Sequence, residues 1–114
     1  MRRRIRIAVA SGFATNGRGL GIAVLDTEGD GRPRVAIAND EAPGDLLRVD
    51  GRTPLRFSDI GARSGTAYDA DGKLHGRMGI DWGDIDNDGV FDLAVATFAS
   101  EPMSLYRGDG ADLY

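Results

Sequence analysis

The chain contains no cysteine, so no disulfide staples it and nothing in it records the redox state of its compartment. It has a single histidine, which leaves a zinc site without a ligand set and a Ser-His-Asp triad without support. It has no apolar run near the roughly 20 residues of a membrane-spanning helix. Cationic excess is missing as well: the net charge is −4, which argues against nucleic acid as the main partner. Glu is scarce, with three against fifteen Asp, and Lys nearly absent, with one against thirteen Arg. The Arg skew carries no functional reading. The Asp skew does, because Asp is a poor helix-interior residue but suits turns and oxygen-ligand metal sites. Seventeen Gly point the same way, and almost no helix is expected.

What is present is the composition of a folded protein, 41% hydrophobic and 28% charged, in 114 residues. That length suffices for one small domain with a modest core. The opening Met1-Arg2-Arg3-Arg4 has the charge of the start of an export signal, but the apolar stretch Ile5 to Ala10 is short and broken by Arg6. The alternation Ile5, Ile7, Val9 reads better as a strand with one buried face.

The chain repeats itself. A shift of 58 positions lays Gly21-Ile22 on Gly79-Ile80, Asp26 on Asp84, Glu28 on Asp86, Asp30-Gly31 on Asp88-Gly89 and Leu47 on Leu105. The apolar run Val35 to Ala38 falls on Leu93 to Ala96. Strand positions and an acidic loop therefore recur together, as in repeat architectures, with a period a little above the roughly 40–50 residues of common propeller blades. Repeat one covers about residues 17–60 and repeat two about 76–114, within a single unit spanning 1–114. Each repeat reads as an apolar strand (Leu20 to Leu25, Met78 to Gly83), the acidic loop, and a second strand (Val35 to Ala38, Leu93 to Thr97). A turn with Pro43 or Pro102 then leads to a third strand (Leu46 to Val49, Ser104 to Arg107). Leu55 to Ser58 is a plausible fourth. In the link, about 61–75, Asp69-Ala-Asp71-Gly72 between Thr66-Ala67-Tyr68 and Lys73-Leu74-His75 predicts a small hairpin. The expectation is all-β: two propeller-like blades of about four antiparallel strands each.

The sharpest feature is Asp84-Ile-Asp86-Asn-Asp88-Gly89-Val90-Phe-Asp92. Calcium takes six to eight hard oxygen ligands at about 2.3–2.6 Å in flexible geometry. Carboxylates at alternate positions of a tight loop can turn inward together, and Asp84, Asp86 and Asp88 have that spacing. Gly89 allows a backbone reversal through positive φ. The Val90 carbonyl can then face the ion and Asp92 can close the shell. EF-hand and dockerin-type readings are disfavoured: the twelfth loop position of an EF-hand needs a bidentate Glu, and here that position is Val95, between strand-like flanks. The competing reading is a solvated acidic turn without metal. The equivalent loop of repeat one, Asp26-Thr-Glu28-Gly-Asp30-Gly31-Arg-Pro33-Arg34, is degenerate, with Arg34 where the closing acid should be. Its guanidinium either sits among Asp26, Glu28 and Asp30 in place of an ion or points to solvent, and the internal cation is favoured. Weak or no calcium binding is expected there.

The segment Gly79 to Phe98 resembles the FG-GAP-like (VCBS) repeat, in the version found with ASPIC/UnbV domains and in the cartilage acidic protein family. Ala67 to Gly72, Glu101-Pro102, Leu105 to Arg107, Gly19 to Val24 and Ala38 to Asp40 are similar to that group too. The resemblance implies β-propeller blades with calcium held by Asp84, Asp86, Asp88, the Val90 carbonyl and Asp92. It implies a non-catalytic module for adhesion or for binding protein, glycan or another ligand, in an extracellular or periplasmic setting. Full propellers of this kind have about seven blades, within the four-to-eight range of the architecture. Two repeats leave open edges and unpacked faces, so the unit is either an excerpt of a longer propeller or completed by its own copies in a homo-oligomer. A catalytic propeller is disfavoured, since no acid, base and nucleophile converge. Arg107-Gly108-Asp109 reads as a turn before it reads as an adhesive tripeptide. His75 is placed at a strand end, and Trp82, Phe91, Phe98 and Tyr106 in packing. Gly17 to Gly21 is rejected as a phosphate loop because no helix follows.

Overall fold

The structure, a computed structural model, describes residues 11–114. The strand expected at Ile5 to Val9 lies outside them. Among the described residues seven strands form two antiparallel sheets. The first sheet takes β1 (Gly19–Leu25), β2 (Arg34–Asn39), β3 (Asp45–Arg52) and β4 (Leu55–Asp59) in chain order. The second takes β5 (Arg77–Gly83), β6 (Asp92–Thr97) and β7 (Ser104–Tyr106). A single helical turn, α1 (Gly61–Ser64), joins the two sheets and is closed by Gly65 at φ 93°. Over the described residues the fold is all-β and built as two blade-like sheets that do not close into a barrel.

Period-two alternation decides which side chains go inward. In the second sheet Trp82, Leu93 and Tyr106 lie opposite one another, as do Ile80, Val95 and Ser104, so these six share one face. That face packs on Ala36, Leu46 and Ile60 of the first repeat to make the main core. The opposite face of the first sheet carries Val35, Ile37 and Leu47, covered by Phe13 and Phe57. The two rings meet edge to face with centroids 5.1 Å apart. Where β1 meets β5 the backbones come close: a Cβ on Gly21 would lie 2.6 Å from the Met78 carbonyl oxygen.

The repeat is visible in the register. Both first strands carry a bulge at the same place, Gly19/Gly21 and Arg77/Gly79, and both pair their second strands with the same offset of 58. The third strands do not keep it. Val35 pairs with Leu47 and Leu93 pairs with Tyr106, so Leu47 corresponds to Tyr106 and Leu46 to Leu105. The match of Leu47 to Leu105 is thus corrected by one residue. The longer turn after β6 supplies the extra position, and a one-residue slip moves a side chain to the other face: Leu47 is buried and Leu105 is 59% exposed.

One further expectation is corrected. Repeat two has three strands to the four of repeat one. Its last residues turn back instead, with Tyr114 donating its N–H to the Ser64 carbonyl at 2.9 Å and its ring 5.5 Å from Trp82. The linking segment holds a turn but no hairpin strands. Asp69 organises the turn by accepting the N–H groups of Asp71 and Lys73 at 2.9 and 2.7 Å. The flanking backbone pairs elsewhere: the Ala67 carbonyl accepts from Gly44 and the His75 carbonyl from Glu41 and Arg77.

Candidate metal centre

The loop between β5 and β6 is held open by its own first carboxylate. Asp84 accepts the N–H groups of Asp88 at 3.0 Å and Gly89 at 2.9 Å, and Asp88 accepts that of Val90 at 2.9 Å. Asn87 and Gly89 take φ values of 59° and 86°, the left-handed turns that let the chain curl round these oxygens. The result brings Asp84, Asp86 and Asp88 together, each offering an oxygen within 4.8 Å of the others. Asp86 and Asp88 face solvent.

Asp92 stands apart from this trio. It is buried at the start of β6, and its two oxygens accept the N–H groups of Ile85 and Gly108, both at 2.9 Å. It therefore ties the loop's entry and the chain after β7 to one carboxylate. Gly108 permits that approach, since a Cβ there would lie 2.1 Å from the Phe91 carbonyl oxygen. The Arg-Gly-Asp tripeptide is in this way part of the loop's support. Asp109 donates its N–H to Leu113, and Arg107 reaches back to Asp86 at 3.1 Å and Asp88 at 3.8 Å while staying 71% exposed. Sequence reasoning missed Arg107 in this role, because nothing local to the loop announces a residue contributed from the end of β7.

The charges respond as crowding predicts. Asp86 has its pKa raised, first by desolvation and then by the Asp88 charge, with Arg107 opposing. Asp88 has its pKa lowered, first by the Val90 N–H. An open cleft of about 640 Å³ lies alongside, lined in part by Tyr68, Asp71, Met103, Tyr106 and Tyr114, and it shares Arg107 with the acidic loop.

The first repeat builds the same frame. Asp26 accepts from Asp30 at 3.2 Å and Gly31 at 2.8 Å, and Asp30 accepts from Arg32 at 2.9 Å, position for position as in the second loop. Its centre is filled differently. Arg34, 1% exposed, makes two contacts of 2.7 Å to Asp112, through Nε and Nη2. It reaches Asp30 at 2.7 and 3.1 Å, lies 4.0 Å from Asp26, and donates to the Arg32 carbonyl. Glu28 is not among its partners: it turns outward to accept the N–H groups of Ala111 and Asp112. The Asp112 bonds come first among the causes that raise the Arg34 pKa, and Arg34 comes first among those that lower the Asp30 pKa. Asp112, 78 residues from Arg34, carries no sequence signal for this pairing.

No match was found to this chain among protein-family models, curated proteins or solved structures. The functional reading therefore rests on the two loops.

His75, the single histidine, precedes β5 and does acquire acidic neighbours: Nε2 lies 2.5 Å from Asp69 and Nδ1 3.5 Å from Glu101. Both carboxylates also accept backbone N–H groups, Asp69 from Lys73 and Glu101 from Gly76. The cluster fastens the link to the second sheet.

Proposed function

We propose that this chain is a calcium-binding β-propeller repeat module of the FG-GAP/VCBS kind, non-catalytic, used to bind a protein, a glycan or another ligand outside the cytoplasm. The observation that carries the reading is the convergence of Asp84, Asp86 and Asp88 on a loop pre-shaped by its own side chain to backbone bonds. Hard carboxylate oxygens at this separation suit calcium, and a flexible, solvent-facing rim leaves room for water and the Val90 carbonyl to complete its shell. Asp92 acts from behind, fixing where the loop begins. It joins the shell only through lone pairs that Ile85 and Gly108 leave free.

Arg107 gives the ion a route to the binding surface. An ion that displaces the guanidinium from Asp86 changes the charge along the rim of the neighbouring cleft. The same contact favours the second reading, a structural acidic turn whose counter-ion is Arg107 itself. Calorimetric titration of calcium into chelator-stripped protein separates them. One ion per chain, with a rise in melting temperature, supports the module. Neither heat nor a thermal shift, in the parent protein and in Arg107→Ala alike, leaves only the turn.

A further inference from the structure

The faces that meet inside the chain have copies on its outside. The second sheet enters the main core with Ile80, Trp82, Leu93, Val95 and Tyr106. The corresponding positions of the first sheet are Ile22, Val24, Val35, Ile37 and Leu47, which share one face by register. That face turns away from repeat two. Phe13 and Phe57 cover its Val35, Ile37 and Leu47, while Ile22 and Val24 stay 62% and 59% exposed. The first sheet in turn meets the second with Ala36, Ala38 and Leu46 on its inner side, all fully buried. Their counterparts Ala94, Ala96 and Leu105 lie on the outer face of repeat two, the alanines half-buried and Leu105 exposed.

The glycines agree. Gly21 is small because the Met78–Ile80 backbone runs against it. Gly79 occupies the same position of repeat two, beside the same bulge, yet an added Cβ there would touch only Ala96 of its own sheet, at 3.5 Å. A strand glycine marks the close approach of another backbone; Gly21 meets Gly79 from the inner side, but on the outer side, where a Cβ of Gly79 would stand, no backbone of another strand among the described residues comes within 4 Å. By correspondence the missing neighbour is the Leu20–Ile22 stretch of a first repeat.

We propose that a second copy of this chain docks its Ile22–Val24 face on the Gly79, Ala94, Leu105 face of the first, reproducing between chains the contact that joins the repeats within one. The contact is heterologous, so it continues from copy to copy until the rotation closes a ring. Two features depart from the internal pattern: Phe13 and Phe57 lie over the part of the face that corresponds to Leu93, Val95 and Tyr106, which leaves Ile22 and Val24 to make the contact, and Asp81 stands where repeat one has Ala23. Removing that carboxylate is expected to tighten the assembly.

Sedimentation velocity over a micromolar to millimolar series tests this. The parent chain is expected to associate with calcium and with chelator alike, because the contact does not use the acidic loop. Val24→Asp and Leu105→Asp, each at an exposed position and each checked for an unchanged melting curve, should be monomeric alone. Their equimolar mixture should form a dimer, because each supplies the face that the other has lost. Ile22→Ser stands in for Val24→Asp if that variant folds poorly. A parent chain monomeric throughout the series overturns the proposal. So does a mixture that stays monomeric, or single variants that associate as the parent does.

Discussion

Replacing Arg34 with methionine isolates the cation that the first loop carries in place of an ion. The side chain is 1% exposed and its chief partner, Asp112, 6%, so the substitution leaves a largely buried carboxylate with Arg48, 4.0 Å away, as its remaining cation. Breaking a buried pair from one side costs about 3–5 kcal/mol. Unfolding entropy near 2.1 cal/mol/K per residue gives this chain a slope of about 0.24 kcal/mol per degree, so the melting temperature should fall by about 12–20 °C. The loss should be the same in calcium and in chelator, because the guanidinium already neutralises this loop. Asp112→Asn alone should cost less, since Arg34 retains Asp30 at 2.7 Å. The double variant should then be more stable than the sum of the two predicts, by at least about 1 kcal/mol. Thermal unfolding followed by circular dichroism measures all four proteins. A drop of no more than about 3 °C for Arg34→Met, or strictly additive losses, would refute the claim that Arg34 holds the loop.

The second loop should behave in the opposite way. Asp84→Ala with Asp88→Ala should abolish the response to chelator, removing a stabilisation of about 10 °C at free calcium about a hundredfold above the dissociation constant; a retained response in differential scanning calorimetry would place the ion elsewhere. Arg107→Ala should raise calcium affinity, by no more than about fivefold because the side chain is exposed and screened. Calorimetric titration reads this, and weaker binding would mean that the guanidinium supports the site instead of competing for it. In chelator, acid should unfold the protein through its low-pKa carboxylates. Asp30, Asp50 and Asp69 all have pKa values lowered in the fold. The unfolded chain therefore binds more protons, and their contribution, complete above about pH 5, is lost as pH falls below about 4 through the folded values. A melting temperature that rises on acidification would contradict the sign.

How far the sequence could be read follows from how local each signal is. The alternation of Val35 to Ala38 and Leu93 to Ala96, the Asp spacing and the positive-φ Gly89 each act within a few residues. The first two strands and both loop frames were legible for that reason. The third-strand register was not, because one added residue in the Phe98 to Met103 turn is invisible to a fixed shift and yet decides that Tyr106, not Leu105, faces the core. The hairpin in the link misled through its Asp-Gly turn. The turn is real, but strand pairing needs free backbone on both sides, and Gly44 and Glu41 had already engaged it. Asp112, Arg107 and the return of Tyr114 arrive from distant parts of the chain, and no spacing foretells them.

The two loops share a backbone frame down to the individual hydrogen bond, which separates what the frame requires from what fills it. The frame gathers carboxylates at Asp26 and Asp30, or at Asp84, Asp86 and Asp88, and such gathering needs a positive charge. In repeat one the charge is covalent, buried and permanent, delivered by Arg34 from the position where repeat two has Asp92. In repeat two that position is itself an acid, and the guanidinium that reaches the cluster among the described residues, Arg107, is exposed and touches only its rim. A screened contact of that kind offsets little of the repulsion. The residual negative charge is what favours the second loop over the first for the proposed cation. It also explains why the Arg34→Met loss should ignore calcium while the Asp84 and Asp88 loss should depend on it.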